Sequence, residues 1–208
     1  MLLYRTLAIG QALRQGDIML VGIVSDIHCQ AGALAVALER MGPIDRLFAL
    51  GDIIDQSRFS AEVVRTLRAR DAVVLRGNHD ESFLCGPGAA ARRAAVAEQD
   101  DLTWLETRPD RAALTLEGKR LLLVHSTPWP SDHAYVTPAH PLFPRFAEAD
   151  ADIVLYGHTH EPVVRRLGGM LVVNPGSIGH GRPTDTGFVR SFALLDLPKG
   201  EARIVDLD

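Results

Sequence analysis

Apolar residues fall along this chain in short uninterrupted runs, and nearly every run stops at a polar turn, most of them containing glycine. The run IMLVGIV (18–24) has no polar alternation, which predicts a strand covered on both faces. It ends at Ser25-Asp26-Ile27-His28. AGALAVALERM (31–41) has helical spacing and is closed by Gly42-Pro43. RLFAL (46–50) predicts a second strand, FSAEVVRTLRAR (59–70) a helix with Ser60 as its N-cap, and AVVL (72–75) a third strand ending in Arg76-Gly77-Asn78-His79-Asp80. Strand–helix–strand–helix–strand implies parallel pairing through right-handed crossovers. An alanine-rich helical stretch over 87–109 follows, closed by Pro109. Residues 112–126 predict a hairpin turning at Glu117-Gly118, with His125 at the end of its second strand. ADIVLY (151–156) predicts another buried strand, and 162–177 a hairpin about Gly168-Gly169. Two further strands are expected over 188–197 and 202–208. This inventory fits two packed sheets with helices outside.

The polar strand ends collect a narrow set of side chains: Asp26 and His28, Asp52 and Asp55, Asn78, His79 and Asp80, His125, then His158 and His160. In an open α/β sheet ligands bind beyond the carboxyl ends of the strands, so parallel pairing gathers these residues. Each alone has an ordinary explanation, such as a cap, a turn or a satisfied core histidine. Together they are a cluster of carboxylates that would repel one another unless cations lie between them. Mixed oxygen and nitrogen ligands suit manganese, iron, zinc, cobalt or nickel over calcium. More than six ligands exceeds one tetrahedral zinc and matches two ions about 3.5–4 Å apart with a bridging carboxylate. The remaining histidines, His133, His140 and His180, fall in loops and read as bland.

Composition narrows the partners. The chain has 208 residues, is 47% hydrophobic and carries a formal charge of -4. It offers no basic stripe for an extended nucleic acid. No apolar run approaches a membrane span. Two cysteines, Cys29 and Cys85, make no disulfide framework and point to a reducing cytoplasm. Residues 1–18 read as an N-terminal extension, with Met19 an alternative start, before one domain over 19–208.

The blocks Asp26-x-His28, Gly51-Asp52-x-x-Asp55, Gly77-Asn78-His79-Asp80, His125 and Gly157-His158-x-His160 occur in the order of the calcineurin-like metallophosphoesterases, and the chain resembles that family from about Met19 onward. Its size and the Asn174-Pro175-Gly176-Ser177 segment resemble the small bacterial and archaeal phosphodiesterase branch. The resemblance implies a four-layer αββα sandwich of two mixed sheets. It implies two divalent ions, manganese first, with iron, zinc, nickel or cobalt as alternatives. Asp26, His28 and His160 would hold one ion, Asn78, His125 and His158 the other, and Asp52 would bridge. His79 would assist the leaving group and Asp55 would orient it. Water bridging the ions would attack phosphorus in line. His158 and His160 are expected to point the same way from an extended strand end, and Cys29 to face away from its neighbour His28.

The match has gaps. Gln56-Ser57 follows Asp55 where the protein phosphatases of this superfamily have Arg-Gly, which argues against phosphoprotein substrates. Ser126 replaces a glycine common after His125 and is not read as a nucleophile. Two divalent ions less Asp26, Asp52 and hydroxide leave about one positive charge, which favours a phosphodiester monoanion over a small phosphomonoester. The alternatives are a nucleotide or dinucleoside-polyphosphate phosphatase and a catalytically weak protein-binding scaffold of the same fold. A homo-oligomer is left open.

Overall fold

In the computed structural model, which describes residues 19–85 and 99–207, the apolar runs become strands with different cores on their two faces. β1 (Leu20–Val24), β2 (Arg46–Ala49) and β3 (Val73–Val74) lie parallel. β11 (Ser191–Asp196) and β12 (Glu201–Asp206) extend this sheet antiparallel, in the order β12-β11-β1-β2-β3. The second sheet has the order β4-β5-β6-β8-β7, built from β4 (Arg111–Leu116), β5 (Lys119–Val124), β6 (Ile153–Leu155), β7 (Val163–Leu167) and β8 (Met170–Asn174). β5, β6 and β8 are parallel, while β4 and β7 run antiparallel at the edges.

Strand side chains alternate between faces, and the core follows that period. Val21, Ile23, Phe48, Ala193 and Leu195 of the first sheet meet Leu121, Leu123, Ile153, Leu155, Leu171 and Val173 of the second. The residues between them turn outward. Val24, Leu47, Ala49, Phe192 and Leu194 pack against α1 (Ala31–Met41), α2 (Ala61–Ala69), α3 (Asn78–Cys85) and α4 (Gln99–Glu106). Val124, Val154 and Val172 pack against Phe143 and Phe146 of a 3-10 helix, Phe143–Glu148. Two mixed five-stranded sheets with helices outside confirm the expected fold class. None of the described helices is long and apolar enough to cross a membrane.

Local signals hold where the chemistry is local. Ser60 caps α2 by accepting the Val63 N–H. Glu117 and Gly118 both take positive φ in the β4–β5 turn, as a two-residue hairpin requires. The expected strand over 188–197 is two elements. Gly187–Val189 forms β10, which pairs with β9 (Arg182–Thr184) in a separate exposed hairpin, and β11 begins only at Ser191. Apolar residues continue across the break, but Phe188 faces solvent, whereas the Ser191 hydroxyl is buried against the Pro175 carbonyl. Residues 1–18 and the first part of the alanine-rich stretch, 87–98, lie outside the described residues.

Candidate metal centre

The loops after β1, β2, β3, β5 and β6 meet at one end of the sandwich. The first two are laced by backbone hydrogen bonds: the N–H groups of Asp26, Ile27 and His28 reach the carbonyls of Gly51 and Asp52 at 2.8–3.0 Å. Asp80 ties in the third. Its fully buried carboxylate accepts the N–H groups of Gly77, Ile53 and Ile54 at 2.8, 3.2 and 2.9 Å. The loops pass so closely that a Cβ on Gly77 would strike Asp52 Oδ1, and one on Gly157 the Ser25 hydroxyl.

Asp26, His28, Asp52, His125 and His158 are buried, with Asn78, His79 and His160 partly exposed beside them. Two groups form. His28 Nε2 faces His160 Nε2 at 3.4 Å, and His160 Nε2 lies 3.4 Å from Asp26 Oδ1. His125 Nε2 lies 3.1 Å from Asn78 Oδ1 and 3.4 Å from Asp52 Oδ2, with His158 alongside. Asp52 Oδ2 is also 3.9 Å from His28 Nε2, so this carboxylate stands between the groups.

The donor set fits cations. Asp26 Oδ1 is buried with no hydrogen-bond partner. His125 Nδ1 meets the Leu50 carbonyl at 2.8 Å and His158 Nε2 the His133 carbonyl at 2.7 Å. A carbonyl can only accept, so each outer nitrogen carries the proton. In the neutral rings the inner nitrogens then present lone pairs, the arrangement usual for metal-ligating histidine.

Protons supply the positive charge in the metal-free protein. Burial opposes the charge on Asp26, but contact with His160 and the charge of His125 outweigh it and hold the carboxyl well below its usual range. Burial also opposes charge on His125, yet Asp52 raises it to about 9. His160 is raised by Asp26 against the effect of burial. His28 and His158 are pushed down to about 4, chiefly by burial, and are neutral at pH 7. A metal ligand must be deprotonated, so cation uptake at pH 7 is expected to release the His125 proton, with the raised His160 acting in the same direction. Affinity should therefore fall as pH drops below 9. Calorimetry in buffers of different ionisation enthalpy measures this release; a binding heat independent of buffer would contradict it.

Three details differ from the sequence reading. His158 and His160 do not leave an extended strand. Both are left-handed, at φ 65° and 58°, as are Asp26, His28 and Asp52. Asp and His tolerate this region better than most residues, and the interloop hydrogen bonds hold them there. Cys29 does pack away from the centre as expected, but not from an extended segment: it is left-handed, at φ 64°, and its thiol reaches the Arg58 carbonyl. Asp55 does not orient His79 by a hydrogen bond: its Oδ1 accepts the Ser57 N–H and hydroxyl, while His79 Nδ1 receives the Gln56 N–H at 3.4 Å.

Two loop histidines belong to the site after all. His133 supplies the carbonyl that fixes His158, and His180 stacks on His28 with ring centres 4.2 Å apart. For His180 the nearby signal is the Ser177 it follows, whose hydroxyl accepts the His180 N–H. Beside His125 a cleft of about 380 Å³ opens, lined by Arg76, Glu81, Arg111, Thr127, Trp129 and His133 among others.

The calcineurin-like phosphoesterase superfamily domain model matches residues 19–200. A relative from Methanothermobacter thermautotrophicus, described as a probable metallophosphoesterase, is 25% identical over 90% of this chain and 92% of its own. The crystal structure of a metallophosphoesterase from Sphaerobacter thermophilus superposes with a TM-score of 0.73 at 24% identity, covering 92% of this chain and 89% of that one. A novel archaeal phosphodiesterase shares the fold with a TM-score of 0.59 at 21% identity, over 90% and 99% of the two chains. With the converging carboxylates and imidazoles, these findings establish that the chain belongs to the calcineurin-like phosphoesterase superfamily, a family of metal-dependent hydrolases.

Proposed function

We propose that this chain hydrolyses a small phosphodiester, with Asp26, His28 and His160 holding one divalent cation, Asn78, His125 and His158 a second, and Asp52 both. The observation that carries this reading is the position of Asp52 Oδ2 between His125 Nε2 and His28 Nε2, at 3.4 and 3.9 Å. Bound there, two cations would lower the pKa of water toward neutrality and offset charge on the phosphoryl oxygens.

The protein's own groups do the rest. The other Asp52 oxygen, Oδ1, accepts the His79 N–H at 2.8 Å, which seats the start of α3 against the centre. The His79 ring stands edge-on to His28, 4.7 Å between centres. Because its Nδ1 accepts from the Gln56 N–H, its proton sits on Nε2. Its Nε2–H can hydrogen-bond a departing alkoxide and stabilise the charge that develops there, so His79 assists the leaving group as a neutral hydrogen-bond donor. The cleft beside His125 has room for an organic substituent of the ester, and the shared fold of a phosphodiesterase is a precedent for diester chemistry.

Chelated protein given back Mn²⁺ should hydrolyse bis-p-nitrophenyl phosphate faster than p-nitrophenyl phosphate. A preference for the monoester, or for a dinucleoside tetraphosphate offered beside them, would displace the diester reading. No turnover of any of the three by protein with measured bound metal would favour a scaffold. His79→Ala should keep its metal and lose roughly 10²–10³ in rate, the usual worth of one hydrogen-bond donor to a developing negative charge. Wild-type speed in that variant would remove the role.

A further inference from the structure

We propose that His180 is an additional ligand of the cation assigned to Asp26, His28 and His160; this rests on the two-cation reading. Besides its stacking on His28, its ring is inclined by only 23° to that ring and lies 5.6 Å, centre to centre, from His160. One ligand atom from each of the three lies within 4.8 Å of the others. Imidazole nitrogens bind such ions at about 2.0–2.1 Å, so two on one ion are at most about 4.2 Å apart; their lone pairs lie in the ring planes, so binding also requires the His180 ring to turn out of its stack on His28.

The loop that carries His180 is fastened to the segment that carries Asp26 and His28. Ser177 is fully buried; its hydroxyl donates to the Asp26 carbonyl at 2.9 Å and accepts the N–H groups of Gly179 and His180 at 3.1 and 2.9 Å. The Gly179 N–H reaches the same Asp26 carbonyl at 2.8 Å, and the Ile178 N–H reaches the Ser25 carbonyl at 3.1 Å. A Cβ on Gly179 would lie 2.7 Å from the Ile27 carbonyl oxygen and 3.0 Å from His28 Cβ. The approach of His180 is therefore built into the backbone. Its ring makes no hydrogen bond among the described residues, which leaves its nitrogens available. A third imidazole makes this position richer in nitrogen, and nitrogen ligands favour zinc, nickel and iron over manganese.

Chelator competition with Zn²⁺ and with Mn²⁺ tests this on the wild type, His180→Ala and His140→Ala, the last removing an imidazole from a distant loop. Wild type and His140→Ala should take up two cations alike. His180→Ala should weaken one of the two by at least about tenfold, since even outer partners of a ligand cost 10–100-fold, and Zn²⁺ should suffer more than Mn²⁺. The visible absorption of the Co²⁺ form should change as well, which a merely structural role would not cause. Two cations in His180→Ala, with both affinities within twofold of wild type and the Co²⁺ spectrum unchanged, would overturn the assignment of His180 alone. A wild type that takes up fewer than two cations would overturn the two-cation reading and this ligand with it.

Discussion

Asp52→Asn is expected to empty the centre of metal and to stop turnover in the same variant. The residue is buried, its Oδ2 faces both histidine groups, and its Oδ1 seats His79. An amide keeps the shape, removes the negative charge and turns one acceptor into a donor. Removing a partner outside the ligand shell costs roughly 10–100-fold in metal affinity. A carboxylate shared by both cations should cost more than about 100-fold. Metal content after dialysis, beside hydrolysis of bis-p-nitrophenyl phosphate, measures both losses, and the thermal midpoint in excess chelator separates them from unfolding. A folded Asp52→Asn protein that retained two cations would refute the bridging role.

Asp80→Ala should instead act on stability. It would leave the buried N–H groups of Gly77, Ile53 and Ile54 without their acceptor. At about 1–3 kcal/mol for each unsatisfied donor the loss is at least about 3 kcal/mol. For a chain of this size that is roughly 6–12 °C in Tm. A change under 2 °C, about 1 kcal/mol or less, would mean that the loops hold without it. Asp80 also sets a pH dependence. Burial and the charge of Asp52 push its carboxyl up to about 7, well above the ordinary carboxylate value it regains on unfolding. Between pH 4 and 7 the folded state therefore holds the extra proton. Its stabilising contribution is complete below about 4 and is lost as pH rises through 7. Asp80→Asn should flatten that part of the stability profile of the metal-free protein.

These two aspartates show how the chain could be read. Asp52 and its companions stand out because titratable residues collect where apolar runs stop, and parallel strands carry such ends to one place. The alternation of Val21, Ile23 and Phe48 with Val24, Leu47 and Ala49 makes the layers legible in the same way. Asp80 stood in the same list, but nothing in its neighbours distinguishes a loop clamp from a ligand; three backbone donors decide that. The Gln56 N–H on His79, the His133 carbonyl on His158 and the stacking of His180 on His28 depend on loop conformation. A left-handed turn at His158 leaves no periodic trace. The β9–β10 hairpin was hidden because its apolar residues continue the pattern of β11 across Arg190.

The centre spans the mouth of the sandwich. Asp26, His28, Asp52 and Asn78 hang from the first sheet, and His125, His158 and His160 from the second, the outermost pair, Asp26 and His160, standing 134 positions apart in the chain. Elsewhere the sheets face each other through apolar side chains. Ions clasped at this rim would act as a removable rivet between the two halves. Whatever stabilises the loaded form in this way is withdrawn when the ions leave. The metal supply of the cell would then govern how long each molecule survives proteolysis as well as how fast it works.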